Sequence, residues 1–104
     1  GGDPLHPLNR DGVKELILEI KEKFPDKTIW SYTGYRYEDV KDLPHMQYID
    51  VLVDGEFKES LKSPSLQFKG SSNQRIIEVQ PSLKTGHIVL WEPKEYVHVE
   101  VKEN

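Results

Sequence analysis

Apolar residues recur at Val13, Leu16, Ile17, Ile20 and Phe24 within "NRDGVKELILEIKEKF", and this three-and-four spacing predicts a helix over Asn9 to Phe24. The end signals agree with the periodicity. Asn9 or Asp11 can cap the start, Glu15 and Glu19 lie early, Lys21 and Lys23 lie late, and Pro25 closes the helix. In "KTIWSYTGY", the β-favouring Thr28, Ile29, Trp30 and Tyr32 predict a short strand before a turn at Gly34. "YEDVKDLP" has the length of a two-turn helix stopping at Pro44. In "YIDVLVDG", the nearly continuous run Ile49, Val51, Leu52, Val53, followed by Gly55, predicts a strand buried on both faces, as in a parallel sheet.

The order is therefore turn, helix, strand, helix, strand, the rhythm of an α/β layer built from crossover units. Such a rhythm calls for a strand before its first helix, and that strand is expected to end just before Gly1. After Gly55 the chain turns to short polar clusters, with a strand-like "RIIEV" at their end. The tail holds two strand candidates, His87 to Trp91 and Tyr96 to Val101, joined around Pro93 as a predicted hairpin; the strict alternation of "VHVEV" suits an antiparallel strand with one wet face. The expected division is residues 1–80 as the α/β segment and 81–104 as a C-terminal β-hairpin extension.

Composition narrows the function. The 104 residues carry 14 Lys and Arg against 18 Asp and Glu, a formal charge of -4, with no basic cluster of the kind that phosphate-backbone binding needs. A nucleic-acid partner is not expected. Neither is a membrane span, because no apolar run reaches the roughly 18 residues that one requires, and the expected location is the cytoplasm. There are no cysteines, which excludes disulfides, a thiolate nucleophile and an iron–sulfur cluster held by this chain. The single methionine, Met46, is internal, so the chain is expected to be a portion of a longer product.

Several constellations carry candidate chemistry, each beside a plainer reading. "GGDP" offers backbone close to a ligand, or simply a tight loop before a helix. "FKGSSNQR" gathers Gly70, two hydroxyls, two amides and Arg75, enough donors for a carboxylate, ribose or phosphate, yet turns also collect these residues. Asp50 and Asp54 bracket "VLV"; even spacing points them to one side, and one of them can mark the strand's carboxyl end, where open α/β folds bind ligands. The equally good alternative is a strand-ending "DG" turn. Trp30, Tyr32 and Tyr35 fit a pocket or a core. His6, His45, His87 and His98 lack metal-ligand spacing, and no metal site is expected. Ser71, His87 and Asp54 make a triad on paper, without a nucleophile-elbow motif to support it.

Taken in order, "GGDPLHPLNR…ELILEIKEKFPDKTIWSYTGY…YIDVLVDGEF…SLQFKGSSNQRII" resembles the C-terminal two thirds of the activating enzymes of anaerobic ribonucleoside-triphosphate reductases, a radical S-adenosylmethionine family. The resemblance runs from Gly1 to about Glu78. It implies part of a partial (β/α) barrel, in which a CxxxCxxC loop elsewhere in the enzyme holds a 4Fe-4S cluster. It further implies reductive cleavage of S-adenosylmethionine and formation of a glycyl radical on the large reductase subunit.

By position, Gly1, Gly2 and Asp3 resemble the glycine-rich motif whose backbone receives the methionyl amino group. Thr33, Gly34 and Tyr35 match the end of the next strand, facing the same cavity. Asp54 and the run Ser71, Ser72, Asn73, Gln74 and Arg75 match later motifs, expected to touch cofactor or partner; Arg75 suits bidentate pairing with a carboxylate. No catalytic residue is assigned. The chain departs from the family in having no cysteine, so the expected partners are an N-terminal cluster-binding portion and the large reductase subunit. An apolar sheet edge left open would favour a homodimer. Two other readings stand beside this one: a non-catalytic protein-binding module derived from the same family, and a hydrolase using the paper triad.

Overall fold

The computed structural model describes residues 3–62 and 68–92. The first helix, α1 (Arg10–Lys23), follows the predicted periodicity, with Asp11 in its first turn and Lys21 and Lys23 in its last. Asn9 occupies the cap position, but its side-chain amide donates to the Asp3 carbonyl at 2.8 Å, tying the entry turn to the helix instead of capping it. Only the middle of the apolar stripe meets the protein. Ile17 is buried and Val13 packs beside it, whereas Leu16 and Phe24 remain 54% and 55% exposed.

β1 (Trp30–Tyr32) is followed by α2 (Tyr37–Val40) and a 3-10 turn over Pro44–Tyr48. The two-turn helix expected here is cut to a single turn. Leu43 takes the extended conformation (φ -70°, ψ 144°) that a following proline imposes, and the chain restarts at Pro44. β2 (Val51–Asp54) is buried at all four positions, as its apolar run predicts. β3 (Arg75–Glu78) realises the strand read in "RIIEV".

The three strands lie in the order β1-β2-β3, with β1 parallel and β3 antiparallel to β2. The sheet is thus mixed, and the run at β2 reflects central position in the sheet, not parallel neighbours on both sides. One face carries Leu52 and Ile77 into a core with Leu5, Ile17, Tyr37, Val40, Met46, Ile49 and Val79. The opposite face presents Trp30, whose ring packs against Phe68 and Trp91 at centroid distances of 5.6 and 5.0 Å.

Directly after β3 comes α3 (Val79–Thr85), which the sequence pattern hides because Val79 reads as strand and Pro81 as a breaker. Pro81 is accommodated because it falls in the first turn, where backbone N–H groups have no intrahelical partner. Gly86 ends the helix in the left-handed conformation at φ 79°. Of the two tail candidates, His87 to Trp91 forms an isolated antiparallel bridge, Leu90 to Ile77, flanked by Glu78 N–H to Val89 C=O and Trp91 N–H to Ile76 C=O, both 2.8 Å. Pro93 and Tyr96 to Val101 lie outside the described residues. Among the described residues no helix is long and apolar enough to cross a membrane.

Candidate functional site

Parallel strands β1 and β2 end side by side, and the segments that follow them carry most of the polar residues singled out by sequence. At the end of β1, the Asp3 carboxylate accepts hydrogen bonds from Gly34 N–H (2.7 Å), Thr33 Oγ1 (2.9 Å) and Leu5 N–H (2.9 Å). The entry turn is therefore clamped to the carboxyl end of β1. Gly1 and Gly2 lie outside the described residues. Tyr35 packs against the core, and its carbonyl accepts from Gly55 N–H at 2.9 Å, joining the turns after β1 and β2.

At the end of β2, Asp54 is buried and fully engaged. Its carboxylate accepts from Arg75 Nε (3.1 Å), Arg75 Nη2 and the backbone N–H groups of Tyr37 (2.7 Å) and Arg75 (3.3 Å). Arg75 spends its outer edge on Glu38, with Nη2 to Oε1 at 2.8 Å and Nη1 to Oε2 at 3.3 Å. The expected bidentate pairing of Arg75 is present, made with this chain's own acids. Glu38 escaped sequence reading because it sits in a helix-like stretch far along the chain from Arg75. Hydrogen bonds from Arg75 pull its carboxyl down from 4.5 to about 2, and the guanidinium is raised by its hydrogen bonds to Asp54 and then to Glu38. Desolvation by burial, with the Asp42 and Glu38 charges, raises the Tyr37 phenol.

The "GSSNQR" loop spends most of its polar groups on itself. Gln74 Oε1 accepts from Gly70 and Ser71 N–H (2.8 and 3.1 Å), and Gln74 Nε2 donates to Gly55 C=O (2.8 Å). Ser71 is buried; its Oγ donates to Asn73 Oδ1 (2.6 Å) and accepts from Lys58 N–H (3.1 Å). Asn73 Nδ2 holds Glu56 C=O at 2.8 Å. A Cβ at Gly70 would stand 2.8 Å from the Phe57 ring, so the close approach of that ring depends on glycine. Ser71 is committed to Asn73, while His87 lines a separate cleft with Tyr37 and Lys41, so the paper triad is not assembled.

Two adjoining clefts open at this end of the sheet. The larger, about 420 Å³, is lined by Gly34, Arg36, Asp54, Gly55, Glu56, Lys58, Asn73 and Arg75. The smaller, about 230 Å³, is lined by Asp3, Tyr32, Thr33, Gly34, Gly55, Phe57 and Gln74. Asp3, Thr33, Gly34, Asp54, Asn73 and Arg75 are thus brought together. Ser71 and Tyr35 support the walls from behind, and Ser72 faces a third cleft beside Trp91. Arg36, Glu56 and Lys58, which the sequence reading did not single out, line the main cleft beside Gly55 of the "DG" turn. Lying at the carboxyl ends of parallel strands, the clefts occupy the position where open α/β sheets receive ligands.

Residues 1–77 match the family model described as a 4Fe-4S single cluster domain. The chain belongs to that family. It is 45% identical over 76 residues to the anaerobic ribonucleoside-triphosphate reductase-activating protein of Enterobacteria phage T4, covering 73% of this chain and 48% of the relative. The proteins of that name from Vibrio cholerae and Escherichia coli K12 are 45% and 47% identical over 78 and 77 residues, covering 73% and 71% of this chain and 50% and 49% of the relatives. The chain spans about half the length of the curated relatives it matches. No solved structure matches.

The residues present do not fit the cluster that the family is named for. Protein-held 4Fe-4S clusters depend on cysteine thiolates, and this sequence has none. Among the described residues no group of His, Asp and Glu is placed to hold a metal ion either.

Proposed function

We propose that this chain is the C-terminal portion of an activating protein for anaerobic ribonucleoside-triphosphate reductase, contributing S-adenosylmethionine and partner contacts to a radical enzyme whose cluster is held elsewhere. The reading is carried by one observation: the motifs shared in order with the family, from Asp3 through Thr33, Gly34 and Asp54 to Asn73 and Arg75, converge on one pair of clefts. Their donor set fits a zwitterionic amino acid joined to a nucleoside. Arg36 and Lys58 supply positive charge at the rim, Glu56 negative charge, and Gly55 leaves its backbone approachable. When bound, S-adenosylmethionine supplies the adenosyl group of the activation chemistry.

This chain's residues bind and orient. Asp3 is held against Thr33 and Gly34 beside the smaller cleft, and the Gly1–Gly2 motif, outside the described residues, would offer its backbone to the cofactor's amino group. Arg75 acts as a positioning residue: with its donors spread over Asp54 and Glu38, it fixes the cleft wall from behind. Tyr35 and Ser71 brace the turns, and Ser72 and Asn73 face outward toward cofactor or the large reductase subunit. The sheet would continue into the partial barrel of the family. Absence of cysteine favours a second reading, a module that docks on the reductase without activating it.

A hybrid separates the two. Residues 1–78 replace the matching segment of the phage T4 relative, and the hybrid is mixed anaerobically with the T4 reductase, S-adenosylmethionine and a reductant. A glycyl-radical signal on the reductase by electron paramagnetic resonance is the expected result. Tight binding to the reductase with no radical, while the parent T4 protein yields one, would leave the docking module as the function.

A further inference from the structure

Between α2 and the end of α3 lies a cleft of about 450 Å³, apart from those at the strand ends. Tyr37, Glu38, Lys41 and Asp42 form one wall, and Leu83, His87 and Ile88 line the other. Lys41 N–H donates to the Tyr37 carbonyl at 2.9 Å, and this helical turn brings the pairs Tyr37 with Lys41 and Glu38 with Asp42 to one side. The second wall lies beyond residues 1–77, the part that matches the family model.

The polar groups of this cleft differ in what they already hold. Glu38 is engaged by Arg75 at 2.8 Å and by Arg36 at 3.7 Å. The side chains of Lys41, Asp42 and His87 have no hydrogen-bond or ion-pair partner among the described residues. Tyr37 decides the chemistry. It is 4% exposed, and its hydroxyl is likewise without a partner. Among the described residues the one fully buried side-chain polar atom that lacks a partner is His45 Nδ1, so the Tyr37 hydroxyl opens into the cleft that its residue lines. Desolvation by burial, then the charges of Asp42 and Glu38, raise this phenol, and the floor of the cleft is therefore both dry and negative.

A phenol oxygen able to accept, beside a carboxylate that holds no cation, receives charged N–H groups. We propose that this cleft is a docking site for an arginine side chain of a partner protein, its guanidinium shared between the Asp42 carboxylate and the Tyr37 hydroxyl. A guanidinium fits better than an ammonium, because its planar fork can give two N–H groups to Asp42 and a third to the phenol oxygen. Its methylene stem lies along Leu83 and Ile88, and Lys41, exposed on a flexible stem, swings out to solvent. The cleft is wider than one side chain, which leaves room for the neighbours of the arginine and favours a protein over a free small cation. The cofactor clefts take no part in it, and the site stands whether or not the hybrid yields a radical.

The test is a nuclear magnetic resonance titration of this chain with a blocked pentapeptide that carries a central arginine between leucines, and with its uncharged citrulline analogue. Saturable shifts are expected at the amides of residues 38–42 and 83–88, with a Kd on the order of 1 mM for the arginine peptide. The citrulline peptide should bind at least about fivefold more weakly. Asp42→Asn should weaken the arginine peptide by about fivefold and Tyr37→Phe by about twofold. Glu22→Gln removes the same charge from an exposed position of α1 and should change nothing. An unmoved Leu52 amide reports that a variant is folded; if it is not, the two peptides on the wild-type chain decide alone.

Equal binding of the two peptides overturns the proposal, as does the lack of any saturable shift up to about 20 mM. So do equal losses in Asp42→Asn and Glu22→Gln, which would reduce the effect to the net charge of the chain. Acetyl-arginine-amide binding as tightly as the pentapeptide would give the cleft to a small molecule and remove the partner protein. Tighter binding of a peptide with a central glutamate would give it to an acidic partner through Lys41 and His87, and the arginine site would fall.

Discussion

Two aspartates bracket β2, alike in residue type and in nearness to the same buried run, and the fold uses them differently. Asp50, before the strand, keeps a side chain that is one-third exposed; it accepts from Ile29 N–H at 2.8 Å and pairs loosely with Lys21 at 3.5 Å. Asp54, ending the strand, has a side chain 1% exposed and binds Arg75 and the Tyr37 amide. A carboxylate at the wet amino end needs one good donor, whereas a buried one at the carboxyl end needs every lone pair answered. The pair shows how an ordinary strand-ending acid becomes the hub of a site when an earlier segment, at Tyr37, and a later one, at Arg75, converge on it.

The sharpest way to break this contrast is Asp54→Ala. It strands the Arg75 guanidinium and a buried amide, and a loss of about 3–5 kcal/mol in urea unfolding is expected. A loss below about 1 kcal/mol would remove Asp54 from its central place. Asp50→Ala leaves one backbone donor partly hydrated, and about 1 kcal/mol is expected by the same assay. If the two variants lose equal stability, burial does not separate the two acids.

The smallest effect tests the outer arm of the network. Glu38 has its carboxyl pulled down from 4.5 to about 2 by Arg75. A depressed pKa stabilises the folded state above the unfolded value, so this contribution is complete above about pH 4.5 and fades as pH falls toward 2. Because Glu38 is 46% exposed, solvent screens the pair, and Glu38→Gln should cost well under about 1 kcal/mol at neutral pH. Urea midpoints measured against pH should converge for wild type and variant on the acid side. Parallel curves down to pH 2 would assign the shift to something other than this pair.

Much of the fold was legible along the chain. α1, β1, β2 and β3 followed from period and end signals, because each buries a face whose residues are neighbours in the local repeat. α3 was not, since Val79 and Pro81 disfavour a helix locally and only their first-turn placement, with the Gly86 stop, allows one. The site divides the same way. "GGDP", "TGY", "DG" and "GSSNQR" marked the right turns, yet nothing local says that Ser71 and Gln74 face inward while Arg36 and Lys58 face the cleft.

From sequence alone came the α/β character, the family, the absence of any thiolate to hold a cluster, and the short motifs that end each strand. Those are properties of composition and of near neighbours along the chain. Only the tertiary structure joined Arg75 to Asp54 and Glu38, clamped Asp3 to Gly34 and set β1 parallel and β3 antiparallel to β2. Hydrogen bonds and ion pairs are decided by distance in space, and the sheet brings together ends that lie 21, 31 and 37 residues apart in the chain.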